Sequence, residues 1–88
     1  MVDNDFSGLG DETVAFSSDK IGDRLVLECV SEVCSALDEK GYDPVGQMVG
    51  YLMSGDPVYI TSYRGARKKI LSFSREELLS SILRYYLR

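Results

Sequence analysis

Histidine and tryptophan are absent from this chain of 88 residues, and cysteine and proline occur twice each. Without histidine the sequence has neither the commonest general base nor the commonest zinc ligand. It also has no glycine-rich phosphate loop ending in Lys-Ser or Lys-Thr, no Gly-x-Ser-x-Gly and no paired cysteine motif, so it points away from catalysis and calls for no metal or cofactor. Cys29 and Cys34 stand five residues apart, which turns one about 140° from the other on a helix. They are read as two small core residues in a reducing compartment, not as a disulfide. No apolar run approaches the roughly 18 residues that span a bilayer, and Met1-Val2-Asp3-Asn4-Asp5 is not the basic-then-apolar start of a secretion signal. The expected location is the cytoplasm.

What is present is a soluble-type composition, 44% hydrophobic and 27% charged. That is one small domain, which buries only about 60% of the surface its unfolded chain exposes, and a homodimer would relieve the shortfall. The net charge of −4 hides a division. Residues 1–40 carry ten acids against Lys20, Arg24 and Lys40, whereas residues 41–88 carry four acids against seven Lys or Arg, four of them within 64–69. The two halves can attract each other or separate partners.

Residues 1–17 have no sustained period and read as a flexible acidic arm, with Val14 to Phe16 as one short strand candidate. Residues 18–88 read as a helical domain. A helix of about twenty residues follows Ser18 or Asp19 as N-cap, with Ile21, Leu25, Cys29, Val30, Val33, Cys34 and Leu37 inward and Glu28, Glu32, Asp38 and Glu39 in water. Gly41 and Gly55 are helix stops, and Asp43-Pro44 and Asp56-Pro57 are helix starts. Between them Val45, Met48, Val49, Leu52 and Met53 form one apolar stripe. Pro57 to Ile60 makes a single turn, and Ser62 caps a third helix that turns Tyr63, Ala66, Ile70 and Leu71 inward and Arg64, Arg67, Lys68 and Lys69 outward. The last helix opens with a capping box, Ser74 and Glu77, inside a Phe73–Leu78 staple. Its apolar residues Leu78, Leu79, Ile82, Leu83, Tyr86 and Leu87 make a face wider than one neighbour covers, which suggests a dimer face. The fold class is therefore all-α: a small bundle of four to five helices with a flexible N-terminal arm, expected as a homodimer.

The cluster Arg64, Arg67, Lys68 and Lys69, beside Tyr59 and Tyr63, is the one concentrated charge and the candidate docking site. It could meet nucleic-acid phosphates, with tyrosines stacking on bases. An acidic chain of pI near 4.6 argues against that alternative.

The wording of Gly41 to Ile60, GYDPVGQMVGYLMSGDPVYI, with Tyr63, Ala66-Arg67 and the later Arg84-Tyr85-Tyr86-Leu87, resembles the IreB and ReoM family of small bacterial phosphoproteins. So does Asp11-Glu12-Thr13-Val14 in the arm. The resemblance implies phosphorylation of Thr13 by a membrane Ser/Thr kinase with extracellular PASTA repeats, and reversal by a cognate phosphatase. It also implies control of peptidoglycan synthesis and of resistance to cell-wall antibiotics, through Clp proteolysis of a precursor-synthesis enzyme. Two departures stand out: Gly10 replaces a second phosphorylatable threonine found in some relatives, and Thr61 replaces a proline. Phospho-Thr13, beside Asp11 and Glu12, would be drawn to a cationic surface such as Arg64, Arg67, Lys68 and Lys69.

Overall fold

The longest helix offers one apolar stripe, and the other helices close over it. The computed structural model describes residues 20–88, in the order α1 (Lys20–Glu39), α2 (Pro44–Ser54), α3 (Ala66–Ile70) and α4 (Arg75–Leu87), with 3-10 turns at Pro57–Tyr59 and Tyr63–Gly65. The arm, its Val14 to Phe16 strand candidate and the Ser18 or Asp19 cap lie outside the described residues. The described residues hold four α-helices and no strand, so the all-α class stands.

Val26, Cys29, Val33, Ala36 and Leu37 recur at i, i+3, i+7, i+10 and i+11 of α1 and are buried, and α2, α3 and α4 all pack against this helix. Val33, Leu37, Ile60, Ile70 and Leu78 are the largest fully buried side chains. Each stabilises the fold by about 1.5–3 kcal/mol relative to leaving it exposed. Leu25, expected inside, is exposed, and Val26 takes the core position. The rest of the stripe holds, with Cys29, Val33 and Leu37 buried and Val30 and Cys34 packed on the core; the exchange falls near the start of α1, where α4 crosses it beside Asp23. There the Asp23 carboxylate accepts from Ser81 Oγ at 2.9 Å, from Arg84 Nε at 2.8 Å and from Arg84 Nη2 at 2.7 Å. Ser81 is itself buried, so this polar stitch sets how far along α1 the last helix sits.

Helix ends follow the local chemistry. Gly41, at φ 85°, closes α1 with Tyr42 N–H donating to the Leu37 carbonyl, the bond of a left-handed C-cap. Asp43 caps α2 through Gly46 N–H, Asp56 caps the turn after it through Val58 N–H, and Gly55 ends α2 at φ 76°. Ser74 and Glu77 exchange both bonds of the capping box, with Leu78 fully buried and Phe73 packed on the core. Ser62 makes no cap. Tyr63 N–H goes instead to the Thr61 hydroxyl, and the chain turns through Arg64 and Gly65, both left-handed, before α3 begins at Ala66.

In α2 the expected stripe is corrected. Met48 and Tyr51 are buried and Leu52 partly so, while Val45, Val49 and Met53 point outward, Val45 at 71% and Met53 at 80% exposure. The helix is apolar around more than half its girth, and the face holding bulky Tyr51 is the one laid on α1. Its third side is closed by the returning turn: the Tyr59 ring lies on Gly50, and Gln47 Nε2 donates to the Tyr59 carbonyl at 2.9 Å. Leu71 and Tyr63 are also exposed, against expectation, because five-residue α3 reaches the core only through Ala66 and Ile70.

Two outcomes follow from this packing. A Cβ at Gly50 would lie 2.5 Å from the Tyr59 ring. Gly50→Ala should therefore lower unfolding stability by about 1–3 kcal/mol in urea titration, although alanine favours a helix interior by about 1 kcal/mol. Arg84 and the Ser81 hydroxyl hold the Asp23 carboxyl at about 2, below its usual 3.8. A depressed carboxyl stabilises the fold fully above its unfolded value and loses that contribution as pH falls toward the folded one. Asp23→Asn should thus melt below wild type at neutral pH, and the two melting temperatures should converge between about pH 4 and pH 2.

Candidate functional site

The cationic segment sits beside the C-terminal half of α1, where two carboxylates meet it. Glu39 and Glu32 lie two turns apart, roughly 10 Å, on that helix. Arg64 Nη1 reaches Glu39 Oε2 at 2.6 Å, and Lys69 Nζ reaches Glu32 Oε1 at 3.0 Å. Tyr63 Oη donates to the other Glu39 oxygen at 3.0 Å, and its ring lies under Lys40 Nζ, 5.2 Å from the centroid, and near the Arg64 guanidinium. That hydrogen bond, with the charge of Glu39, pushes the Tyr63 phenol up, which keeps it a neutral donor. Both ion pairs are about half exposed, so each contributes only about 0–1 kcal/mol and can be exchanged for an incoming acidic group.

The four candidate docking residues are not equivalent. Arg64 is not on a helix; its left-handed backbone at φ 57° turns it toward Glu39. Lys68 is exposed and forms no ion pair among the described residues. Arg67, expected on the wet side, is partly buried: its Nε donates to the carbonyls of Pro57 at 3.1 Å and Ile60 at 2.9 Å. It ties the turn before α3 to α3 itself, adding a second donor to the Pro57 carbonyl, which already accepts the Ile60 N–H, and giving one to the carbonyl of Ile60. The surface is thus a ridge of Lys40, Arg64, Lys68 and Lys69 with Arg67 beneath it.

Glu32 and Glu39, read from sequence as solvated, are exposed as expected and also orient the basic residues. No local signal pairs them, since Arg64 lies 25 residues from Glu39. Among the described residues no group of three or more His, Cys, Asp or Glu is placed to hold a metal ion, and no helix is long and apolar enough to cross a membrane. Cys29 and Cys34 are free thiols, and burial pushes both up, away from the reactive thiolate.

Fold and ridge together define a small all-α protein with a cluster of positive charge on an exposed ridge. A family model described as IreB regulatory phosphoprotein matches residues 11–88. The chain belongs to that family, and a regulatory role comes with it. The match begins two residues ahead of Thr13, which itself lies outside the described residues.

The arginine contacts separate structure from docking. Arg67→Ala should cost roughly 1–2 kcal/mol of unfolding stability, the worth of charged hydrogen bonds at a partly buried site. Lys68→Ala should change it by less than about 0.5 kcal/mol, as surface substitutions do. Urea denaturation of both variants checks the pair.

Proposed function

We propose that the chain is a non-enzymatic cytoplasmic regulator, phosphorylated on Thr13 by a PASTA-type Ser/Thr kinase and reset by its phosphatase. It acts on peptidoglycan synthesis and resistance to cell-wall antibiotics, through Clp proteolysis of a precursor-synthesis enzyme. The observation that carries this reading is family membership over a span that includes Asp11-Glu12-Thr13-Val14. A phosphate there adds about −1.5 to −2 of charge to an already acidic arm, enough to redirect it between cationic surfaces.

The basic ridge supports the docking half of the proposal. Arg64, Lys68 and Lys69 offer three exposed cations, two of them held by carboxylates that an acidic protein surface can replace. That same pairing leaves little free charge for a phosphate backbone, which favours a protein partner over nucleic acid. A homodimer is the matching assembly. Leu79, Leu83 and Tyr86 of α4 and Val45, Val49 and Met53 of α2 are exposed apolar ridges on a small domain.

Incubation with a PASTA-kinase catalytic domain and ATP, followed by mass spectrometry, should place one phosphate on Thr13 and none on Thr13→Ala. An unmodified chain beside an active control substrate would remove the kinase from the reading and leave the family fold without its switch.

A further inference from the structure

Two clefts flank the Asp23–Arg84 pair where α4 crosses α1. One, about 490 Å³, is bordered by Glu76 and Glu77 at the start of α4. The other, about 850 Å³, lies between Arg24, Leu27 and Ser31 of α1 and Tyr85 and Leu87 of α4, with Arg88 just after it. Its character differs from the first. Leu27 is partly buried, Tyr85 and Leu87 are exposed, and the Arg88 guanidinium lies 4.8 Å from the Tyr85 ring centroid. Arg84 is committed to Asp23, whereas Arg24 and Arg88 form no ion pair among the described residues. Glu28 is the one further acid on its walls. The cleft therefore offers an apolar floor edged by cations.

We propose that this second cleft is the seat of the chain's own N-terminal segment, with Val14 and Phe16 laid over Leu27 and Tyr85 and with Asp11 and Glu12 carried to Arg24 and Arg88. The charge fits one way only. Residues 1–19 contain five acids and no Lys or Arg, so the carboxylates of the first cleft repel the segment and the arginines of the second attract it. The outward stripe of α2 offers apolar surface with Asp43 and Asp56 near its ends and no Lys or Arg in the helix, which suits an acidic segment less.

Reach allows this placement. The segment joins the fold at Lys20, one turn before Arg24. Phe16 can extend about 14 Å from Lys20, and Leu27 lies about 10 Å along the helix axis; Asp11 can extend about 31 Å, and Ser31 at the far end lies at about 16 Å. Thr13 at full stretch, about 25 Å, stops short of Glu39, about 28 Å away, where Arg64 sits. Within one chain Thr13 thus reaches the cleft and not the Arg64 end of the basic ridge.

The test uses the full, unphosphorylated chain, so its result does not depend on the kinase. In a uniformly ¹³C,¹⁵N-labelled sample the Phe16 ring should show nuclear Overhauser contacts to the Leu27 and Leu87 methyls. Arg24→Glu with Arg88→Glu should abolish them while the amide shifts of Val33 and Ile70 stay in place, and adding Asp11→Lys with Glu12→Lys should restore them. Three results would overturn the proposal: no Phe16 contact to α1 or α4, contacts to Val45, Val49 or Met53 instead, or contacts seen only between labelled and unlabelled copies in a mixed sample.

Discussion

The apolar stripe of α1 is the surface on which everything else depends. Val33 and Leu37 are fully buried beneath elements that have no sufficient core of their own. A five-residue helix such as α3 does not persist in water, because nucleating a helix costs more than so few hydrogen bonds return. It exists here because Ala66 and Ile70 enter the shared core and Arg67 satisfies two carbonyls of the turn before it. The basic ridge is consequently a property of the core: its residues are held at the carboxylates of α1 by burial taking place one layer below.

This arrangement divides rigid from exchangeable interactions along one helix. At the start of α1, the Asp23 stitch is partly buried and draws on Ser81 and two donors of Arg84, so breaking it leaves polar groups unsatisfied. At its end, Glu39 and Glu32 meet Arg64 and Lys69 in water, where an ion pair can be swapped at little cost. The first interaction belongs to a fold that does not yield, and the second leaves a charged face whose pairs can exchange.

The exposed apolar residues fit the same picture. A domain this size cannot cover all its apolar surface, and α2 and α4 each keep a ridge outside the core. Those ridges are apolar, whereas the cleft between α1 and α4 is edged by Arg24 and Arg88, so the exposed surfaces differ in their electrostatics.

The features legible in advance were those whose causes lie within about four residues. Asp43 before Pro44, Gly41 and Gly55 in left-handed caps, and Ser74 with Glu77 are each decided by neighbouring backbone groups, so these helix ends followed from the residues alone, whereas the start of α3 did not. Of the candidate site, the cluster 64–69 could be named but not its division of labour. Which side of an apolar helix turns inward depends on what arrives to cover it, and this put Val26 in place of Leu25 and Tyr51 in place of Val49 and Met53. Which charges meet depends on chain segments far apart, 61 residues for Asp23 with Arg84 and 25 for Glu39 with Arg64. Local chemistry specified the helices and their ends; only packing could choose their phase and turn Arg67 from a surface charge into a clamp, because side chains distant in sequence share a dielectric and a volume only after the core has closed.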